Sequence, residues 1–573
     1  MAVLNTEIAD TFSRIADLLD IRGENPYRVR AYRSAARTIG GLSENVSDMV
    51  ESGENLTSLP GIGKDLAEKA RTIVRTGALP QLEKLREEGG DGLIEMMHLP
   101  GVGPKKVKAL HNKLDISSIE ELEHAAREQR LRILDGFGEK TERAILGAIA
   151  RRKTTNQRAK LPVARQAAEQ IVRYLKKQKG LEKIAVAGSF RRQVETVGDL
   201  DILATCSRAD ALMERFVSFE DVEKIIAKGT TKSSIWLRSG LQVDLRIVPK
   251  QGYGAALHYF TGSKAHNIAT RKIAAKKKMK MNEYGVYKGN ERVAGRTEKE
   301  VYAKLGLRYI EPELREDTGE IDAARKGQLP VLVDIEQIRG DLHAHSEDSD
   351  GKHTIEEMAR AAREKGYEYL AITDHSKRVR VAHGLDAQRL QEQWKVIEMV
   401  NKQLKGTTVL RGIEVDVLED GTLDLPKRLL HDLDIVVAAV HSKFRLSSAK
   451  QTERIVRAMG SGTVSILAHP TGRLIGERWP YECDMERIVK SARDEGCALE
   501  LNAHPDRLDL APRYCRMAKE FGVNIAVSTD AHSTSDLAYM TYGIGQARRG
   551  WLEAGDVLNT RGIDELMRSI EKT

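Results

Sequence analysis

The sequence has few cysteines and no long apolar run. Its cysteines, Cys206, Cys483, Cys497 and Cys515, lie far apart without CxxC spacing. This excludes a disulfide framework or a thiolate zinc site as the basis of the fold. No apolar stretch approaches the roughly 18–20 residues that span a bilayer, and the N-terminus lacks the apolar region of a secretion signal. We therefore expect a cytoplasmic protein.

The length and the charge point to several domains and a polyanionic partner. A chain of 573 residues is too long for one core, so three to five domains are expected. Lys and Arg number 92 against 84 Asp and Glu, which gives a net charge of +8. This mild basicity favours contact with a polyanion such as nucleic acid over part of the surface.

A turn that could bind phosphate follows a predicted strand at residues 183–187. The turn reads Gly188-Ser189-Phe190-Arg191-Arg192. Its backbone N–H groups and the Ser189 hydroxyl could hold phosphate oxygens, and the two arginines add planar cationic groups that suit them.

Three aspartates lie on predicted strands close to this turn. Asp199 and Asp201 alternate along one strand, so their carboxylates share a face, and Asp244 lies in another alternating run. Such a cluster needs cations, and two Mg²⁺ ions could clamp the attacking and leaving oxygens of a phosphoryl transfer. For Asp-x-Asp alone, a solvated strand edge would be the better interpretation; the third Asp favours a nucleotidyl-transfer site.

The N-terminal third contains a repeated glycine pattern between helical runs. Strong copies lie at residues 59–64 and 99–106, and a weaker copy lies at 134–140. Glycines at such turns let the backbone amides of a helix N-terminus approach a DNA phosphate closely. For any single copy, a glycine-capped helix turn is the alternative. The candidate DNA-binding glycines are Gly61, Gly63, Gly101 and Gly103.

Runs typical of strands recur about every 30 residues in the C-terminal third, with helical patterns between them. Seven such strands can be counted, and most end in a metal-ligand residue type, the βα rhythm of a barrel with a site at the carboxyl ends of its strands. The candidate ligands are His343, His345, Asp350, His375, Glu414, His441, His469, Asp530 and His532.

Two family resemblances follow from these motifs. Gly-Ser-Phe-Arg-Arg followed by Asp-x-Asp resembles the palm of family X DNA polymerases, the family of DNA polymerase β, over residues 1–317. The segment Tyr259–Ser263 looks like that family's sugar-reading segment, and the glycine turns resemble helix-hairpin-helix modules. The nine C-terminal residues resemble the trinuclear ligand set of the PHP (polymerase and histidinol phosphatase) domain, which implies zinc or manganese and phosphoester hydrolysis.

The first resemblance implies a role for each matching residue. Asp199, Asp201 and Asp244 would be catalytic Mg²⁺ ligands. Nucleotide-binding residues would be Ser189, Arg192, Tyr259, Gly262, Lys264 and Asn267, and Arg271 would contact DNA. Lys264 stands where the family has an acidic residue, and Gln242 replaces an arginine, which leaves the positioning of Asp244 open. Lys69 lies where DNA polymerase β has its Schiff-base lysine, but a solvated helix lysine is the favoured alternative.

The predicted fold is multidomain: α-helical helix-hairpin-helix domains, an α+β nucleotidyltransferase palm with a thumb, and a distorted α/β (βα)7 PHP barrel. The predicted divisions are a helical DNA-binding domain at 1–90, a second helix-hairpin-helix domain at 91–158, the palm at 159–262, the thumb at 263–317, a linker at 318–337 and the PHP domain at 338–573.

The predicted function is gap filling in DNA repair by a monomeric polymerase that uses gapped or primed DNA and dNTPs. The PHP domain would act as a 3′–5′ exonuclease, with abasic-site cleavage or 3′-phosphate removal as related options. The alternatives are a phosphatase of small phosphoesters with a relic palm, a non-enzymatic DNA-binding scaffold, and a template-independent nucleotidyltransferase.

Overall fold

The computed structural model describes residues 5–41, 46–59, 61–87, 90–97, 99, 102–155 and 158–570. They form a helical region, then mixed α+β regions, then a parallel β-barrel with surrounding helices. The predicted fold class is thereby confirmed. Within these ranges, no helix is both long and apolar enough to cross a membrane. Short 3₁₀ helices lie at Leu56–Ser58, Arg130–Ile133, Lys250–Gly252, Pro312–Leu314, Ile335–Gln337, Arg380–Ala382, Thr534–Tyr539, Ala554–Asp556 and Leu558–Thr560.

The described residues before 156 are helical and carry the glycine turns. In one of these helices, Lys64–Thr76, Leu66, Ala70 and Ile73 recur on one face and are buried, and Gly77 ends the helix in a left-handed conformation with φ 78°, as is common at helix C-termini. The helices are α1 (Asn5–Arg22), α2 (Pro26–Gly41), α3 (Val46–Glu51), α4 (Lys64–Thr76), α5 (Pro80–Glu87), α6 (Gly90–Met97), α7 (Pro104–Leu114), α8 (Ile119–Arg127) and α9 (Glu139–Thr155).

A five-stranded sheet in the order β2-β4-β7-β6-β5 forms the palm, and a two-stranded ladder pairs β1 with β3. Strands β4 and β7 run parallel, which brings their N-terminal ends to the same edge. The elements are β1 (Ala159–Lys160), α10 (Leu161–Leu175), β2 (Leu181–Val186), α11 (Gly188–Arg191), β3 (Thr196–Val197), β4 (Asp199–Cys206), α12 (Ala209–Val217), β5 (Val222–Lys228), β6 (Lys232–Leu237) and β7 (Gln242–Ile247). Buried Ile171 and Phe216 from α10 and α12 join the apolar cluster of this sheet.

The next region surrounds a smaller apolar cluster with helices and a three-stranded sheet in the order β10-β9-β8. Its elements are α13 (Tyr253–Thr261), α14 (Lys264–Lys276), β8 (Lys280–Asn282), β9 (Gly285–Lys288), β10 (Glu291–Ala294), α15 (Glu298–Leu305) and α16 (Glu320–Lys326).

The stretch 318–337, expected as a linker, is more structured than its sequence indicated. It contains α16, whose Ile321 and Ala324 are buried in the thumb cluster. Glu320 is fully buried and bonds to His266, with Nδ1 to Oε1 at 2.6 Å. Seven helical residues are too few to show a periodic apolar pattern, so the sequence did not indicate a helix.

The C-terminal region is the predicted seven-stranded parallel barrel. Its strands follow one another in chain order from β11 to β17, and Ala344 bridges to Ala531, which nearly closes the barrel. The elements are β11 (Gly340–Ala344), α17 (Ile355–Glu364), β12 (Tyr369–Ile372), α18 (Ala387–Gln403), β13 (Thr408–Asp416), α19 (Lys427–His431), β14 (Ile435–Ala439), α20 (Ser448–Met459), β15 (Ile466–Leu467), α21 (Met485–Asp494), β16 (Ala498–Asn502), α22 (Pro512–Glu520), β17 (Ile525–Ser528), α23 (Met540–Arg549) and α24 (Ile563–Ile570).

Candidate active sites

The three palm aspartates meet at one edge of the sheet. Asp201 in β4 lies directly opposite Asp244 in the parallel strand β7, and Asp199 lies two residues away on the same face of β4. Gly188 begins the short helix α11 with φ +64°, and a Cβ there would lie 3.2 Å from Asp201 Oδ2. Glycine therefore lets the predicted phosphate-binding turn approach the carboxylate closely.

These carboxyl groups experience different environments. Burial, and then the neighbouring Asp199 carboxylate, raise the pKa of Asp201 to about 7. Burial also raises the pKa of Asp199, with a further contribution from Asp244. For Asp244, burial acts in the same direction, but hydrogen bonds from Lys232 and Gln242 outweigh it and lower the pKa. The pKa values of Asp201 and Asp244 are thus shifted in opposite directions, as expected for crowded acids with different neighbours.

Gln242 positions Asp244 directly. Its Nε2 donates to Asp244 Oδ1 at 3.0 Å, while Lys232 Nζ lies 2.8 Å from the other carboxylate oxygen. The structure therefore answers the question raised by the missing arginine, because Gln242 and Lys232 together hold the carboxylate. The sequence analysis missed Lys232, which lies on β6 opposite Arg246 of β7.

The predicted nucleotide-binding residues surround the end of α13. Arg192 donates through Nε to Glu316 Oε1 at 3.0 Å, and a Cβ on Gly262 would lie 3.1 Å from Arg192 Nη1. Asn267 Nδ2 donates to the Tyr259 carbonyl at 2.7 Å. The structure thus brings these four predicted residues together.

The other predicted contacts lie on the adjoining elements. Ser189 is half-buried in α11, Lys264 is exposed at the first turn of α14, and Arg271 is half-buried further along α14. Arg191, the other arginine of the turn, pairs with Glu298 of α15 through Nη2 at 2.6 Å. It therefore joins the palm to the thumb.

The three glycine turns share one backbone hydrogen bond. In each, an apolar residue donates its N–H to the carbonyl three residues earlier: Ile62 to Leu59, Val102 to Leu99, and Phe137 to Leu134, at 3.1, 3.0 and 3.1 Å. Gly63 and Gly103 then cap α4 and α7 in extended conformations, and nothing lies within 4 Å of where their Cβ atoms would be.

The other two predicted DNA-binding glycines are Gly61 and Gly101. Gly61 has φ +76°, a conformation that favours glycine. Gly101 lies outside the described residues. The open faces of the two cap glycines leave room for a phosphate at each helix N-terminus.

Lys69 is not free in the structure. Its Nζ donates to Asp65 Oδ2 at 2.7 Å and to Tyr32 Oη at 2.6 Å. Burial lowers the pKa of Lys69, but the hydrogen bonds to Asp65 and Tyr32 outweigh it, and the pKa is raised. A raised pKa disfavours the free amine that a Schiff base requires.

The nine predicted ligands of the barrel meet at the carboxyl ends of the strands. Eight of them form three overlapping groups whose ligand atoms lie within 4.8 Å of one another. The groups are His345, Asp350, His375 and His532; His343, His345 and Asp530; and His375, Glu414 and His441. The ninth, His469, has Nε2 3.1 Å from Glu414 Oε1. Elsewhere in the described chain, no group of three such residues is as tight.

The electrostatics of this cluster suit several cations. Burial lowers the pKa values of His375 and His441. The nearby Glu414 carboxylate makes the largest opposing contribution, and the pKa values rise to about 10 and about 9. Burial and the neighbouring imidazoles lower the pKa of His345 to about 3. His345 Nδ1 and His469 Nδ1 are buried and have no hydrogen-bond partner among the described atoms. Imidazoles and carboxylates without thiolates fit zinc or manganese.

Two carboxylates behind the ligands were missed by the sequence analysis. Glu500 in β16 is fully buried and lies 2.7 Å from His343 Nδ1, and its other oxygen accepts the His469 N–H. Asp416 lies 3.3 Å from His441 Nδ1. Such carboxylates orient metal-binding imidazoles. For Glu500, the available signal was an acid between two leucines of the strand, Leu499 and Leu501.

Four family models match parts of the chain. Family models match residues 3–79 (helix-hairpin-helix domain), 93–151 (SAM-like helix-hairpin-helix tandem), 256–316 (DNA polymerase beta thumb) and 341–504 (PHP domain). The DNA polymerase/3'-5' exonuclease PolX of Bacillus subtilis (strain 168) is 38% identical over 564 residues, covering 98% of each chain. The chain belongs to family X of the DNA polymerases.

Shorter relatives share part of this family X chain. A probable phosphatase of Thermoanaerobacter sp. (strain X514) is 29% identical over 233 residues, which are 38% of this chain and 89% of the relative. A probable phosphatase of Acetivibrio thermocellus is 27% identical over 201 residues, 34% of this chain and 78% of the relative. Both the polymerase and the PHP families depend on metal ions, in agreement with the ligand groups in the barrel.

Proposed function

We propose that this family X chain is a DNA-directed DNA polymerase that fills short gaps, and that its barrel is a metal-dependent 3′–5′ exonuclease. The observation that carries the proposal is the presence of two separate clusters of metal-ligand residue types in one chain, the palm triad and the nine-residue barrel cluster. The three glycine turns add a surface suited to the DNA backbone. The proposed domain division is the one predicted from the sequence, except that α16 of the stretch 318–337 packs in the thumb cluster.

In the palm, the chain's own residues hold cations and phosphates. Asp199, Asp201 and Asp244 would bind two Mg²⁺ ions, and Lys232 keeps Asp244 ionised. When bound, such ions polarise the attacking and leaving oxygens of an in-line displacement. The Gly188–Ser189 turn and Arg192 would hold the triphosphate, and Tyr259 and Gly262 would lie along the sugar.

In the barrel, buried carboxylates orient the ligands. Glu500 holds His343 through Nδ1, which leaves Nε2 facing His345 Nε2 at 3.2 Å. Asp416 lies 3.3 Å from His441 Nδ1 and accepts the His441 backbone N–H, and His441 Nε2 lies 3.2 Å from Glu414 Oε1. Zinc or manganese, up to three ions, would when bound supply Lewis acidity and a nucleophile near neutral pH. Abasic-site cleavage and 3′-phosphate removal would use the same residues.

The experiment that tests this proposal uses labelled gapped DNA with Mg²⁺ or Mn²⁺, with and without dNTPs. We expect extension of the primer by templated nucleotides when dNTPs are present, and stepwise shortening from the 3′ end when they are absent. A template-independent nucleotidyltransferase would instead extend a single strand equally well. A phosphatase of small metabolites would release phosphate from small monoesters and leave the DNA unchanged, and either result would overturn the proposal.

A further inference from the structure

The loops around the metal-ligand cluster carry basic residues, five of them exposed and three partly buried. These loops follow four barrel strands, three of which lead into predicted ligands, so they lie at the same end of the barrel as the cluster. The basic residues are Lys377, Arg378 and Arg380 after β12, Lys443 and Arg445 after β14, Arg473 and Arg478 after β15, and Arg507 after β16. Such a set of basic residues, here called the rim, attracts a polyanion.

One aromatic side chain stands out from this rim into solvent. Trp479 is 91% exposed, although burial of a large apolar side chain is normally favourable. It lies between two clefts. One has a volume of about 640 Å³ and is lined by Lys443, Phe444, Arg445 and Arg478. The other, about 770 Å³, extends past Arg473 and Arg513 to Val194 and Glu195 of the palm.

The backbone that carries Trp479 is tied to the ligand His469. Leu474 and Arg478 exchange backbone hydrogen bonds of 2.9 Å in a short hairpin. Arg478 Nε donates to the Gly472 carbonyl, also at 2.9 Å, and Gly472 N–H donates to the His469 carbonyl. The backbone immediately before Trp479 is therefore held beside the cluster.

A stack of planar groups continues from the hairpin toward a second ligand. The Arg478 guanidinium lies 4.2 Å from the centroid of Phe444, whose ring stacks on Tyr481 at 6.2 Å with an interplanar angle of 16°. Phe444 is three residues from His441, so the backbone joining them can span at most about 11 Å. The aromatic surface thus lies close to the metal-ligand cluster.

We propose that the clefts on either side of Trp479 bind the single-stranded 3′ end of DNA as it enters the barrel, with a base stacked on the indole. Exposed aromatic rings combined with cationic side chains are how proteins bind single strands without sequence preference. Arg445 is exposed and Lys443 lies at the same cleft, where both would meet phosphates. This inference rests on the proposed exonuclease function and adds the surface that guides the strand to the centre.

The test compares Trp479→Ala, Trp479→Phe and the control Met399→Ala, which removes another exposed apolar side chain (53%) on α18. Each protein degrades a labelled single-stranded oligonucleotide and hydrolyses bis(p-nitrophenyl) phosphate, which offers no base to the indole. Stacking contributes roughly 1–3 kcal/mol per base, so we expect Trp479→Ala to raise KM for the oligonucleotide about five- to 100-fold. Small-ester hydrolysis should stay at the wild-type level, Trp479→Phe should recover most of the loss, and Met399→Ala should behave as wild type.

A second substrate arm separates stacking from a general structural effect. An oligonucleotide with abasic units before its terminal nucleotide should have a raised KM with the wild type. Trp479→Ala should not raise that KM further, because the abasic units have already removed the base that stacks on the indole. In metal-free protein, oligo(dT) should quench part of the tryptophan fluorescence, and Trp479→Ala should abolish this quenching. An unchanged KM in Trp479→Ala, or additive effects of the two changes, would overturn the inference and leave the surface to a partner of another class.

The failure of this inference is distinguishable from failure of the proposed function. If the double variant His343→Ala/His345→Ala still degrades DNA, the assignment of the exonuclease to the barrel is wrong. If that variant is inactive while Trp479→Ala matches the wild type, only the single-strand site is overturned.

Discussion

Asp201 has the most perturbed carboxyl group of the palm. Burial and the charge of Asp199 raise its pKa to about 7, so near neutral pH a proton competes with a cation for this carboxylate. A raised pKa means that the ionised, metal-binding form is lost as the pH falls through 7.

We therefore expect the Mg²⁺ concentration for half-maximal primer extension to rise about fivefold from pH 7 to pH 6, and to fall less than twofold from pH 7 to pH 8. Titrations of Mg²⁺ at saturating dNTP and DNA would measure this. Gln242→Ala, which alters Asp244 and leaves Asp201 in place, should keep the same midpoint of the pH profile. A Mg²⁺ requirement that does not vary between pH 6 and 8 would contradict the assigned environment of Asp201.

Lys69 is the residue whose predicted role is least favoured by its surroundings. Asp65 and Tyr32 hold it as a cation, and only the free amine forms an imine. If Lys69 is the lyase residue, Asp65→Ala should raise the yield of protein trapped by borohydride on DNA with a 5′-deoxyribose phosphate, and Lys69→Ala should abolish it. A trapped yield that neither substitution changes would return Lys69 to the solvated-lysine interpretation.

The glycine turns are elements whose function can be tested without disturbing the fold. Gly63 and Gly103 have ordinary negative φ angles and open space at their Cβ positions, so alanine fits each site. The double variant Gly63→Ala/Gly103→Ala should keep its thermal stability but bind gapped DNA about tenfold more weakly, because two methyl groups occupy the space that phosphates would enter.

The measurement is a binding titration at fixed salt on two unrelated sequences. Gly555→Ala, at another glycine with open space and no positive φ, is the matched control. Unchanged affinity in the double variant, or a loss confined to one sequence, would show that these turns are ordinary helix caps.

At the scale of elements, the sequence predicted which barrel residues come together at one end of the strands, but not the carboxylates behind them. Ligands follow strands at a regular spacing, so the position of His441 or Asp530 can be read from a run of β-forming residues. Glu500 has no such pattern, since its role depends on which imidazole it faces across 157 residues of chain. The helix α16 was missed for a related reason, as its buried Glu320 depends on the distant partner His266.

The whole molecule shows contacts between the barrel and the palm that the sequence could not indicate. Arg549 of α23 donates to the Arg192 carbonyl and to Glu316, at 2.8 and 3.0 Å, across 357 and 233 residues. Lys160 pairs with Asp506 at 2.6 Å, beside the loop of Trp479. Motifs specify each centre locally, whereas the packing of one region on another depends on pairs of residues with no shared pattern.

The most direct test of the account is whether the two centres act independently on one DNA substrate. The measurement follows a labelled primer in gapped DNA, with and without dNTPs, for Asp201→Ala and for His343→Ala/His345→Ala, with the metal content of each protein determined. We predict that Asp201→Ala loses extension and keeps dNTP-free shortening, and that the double histidine variant loses metal and shortening but keeps extension. Extension near the wild-type rate by Asp201→Ala, or shortening by a metal-depleted double histidine variant, would contradict the account.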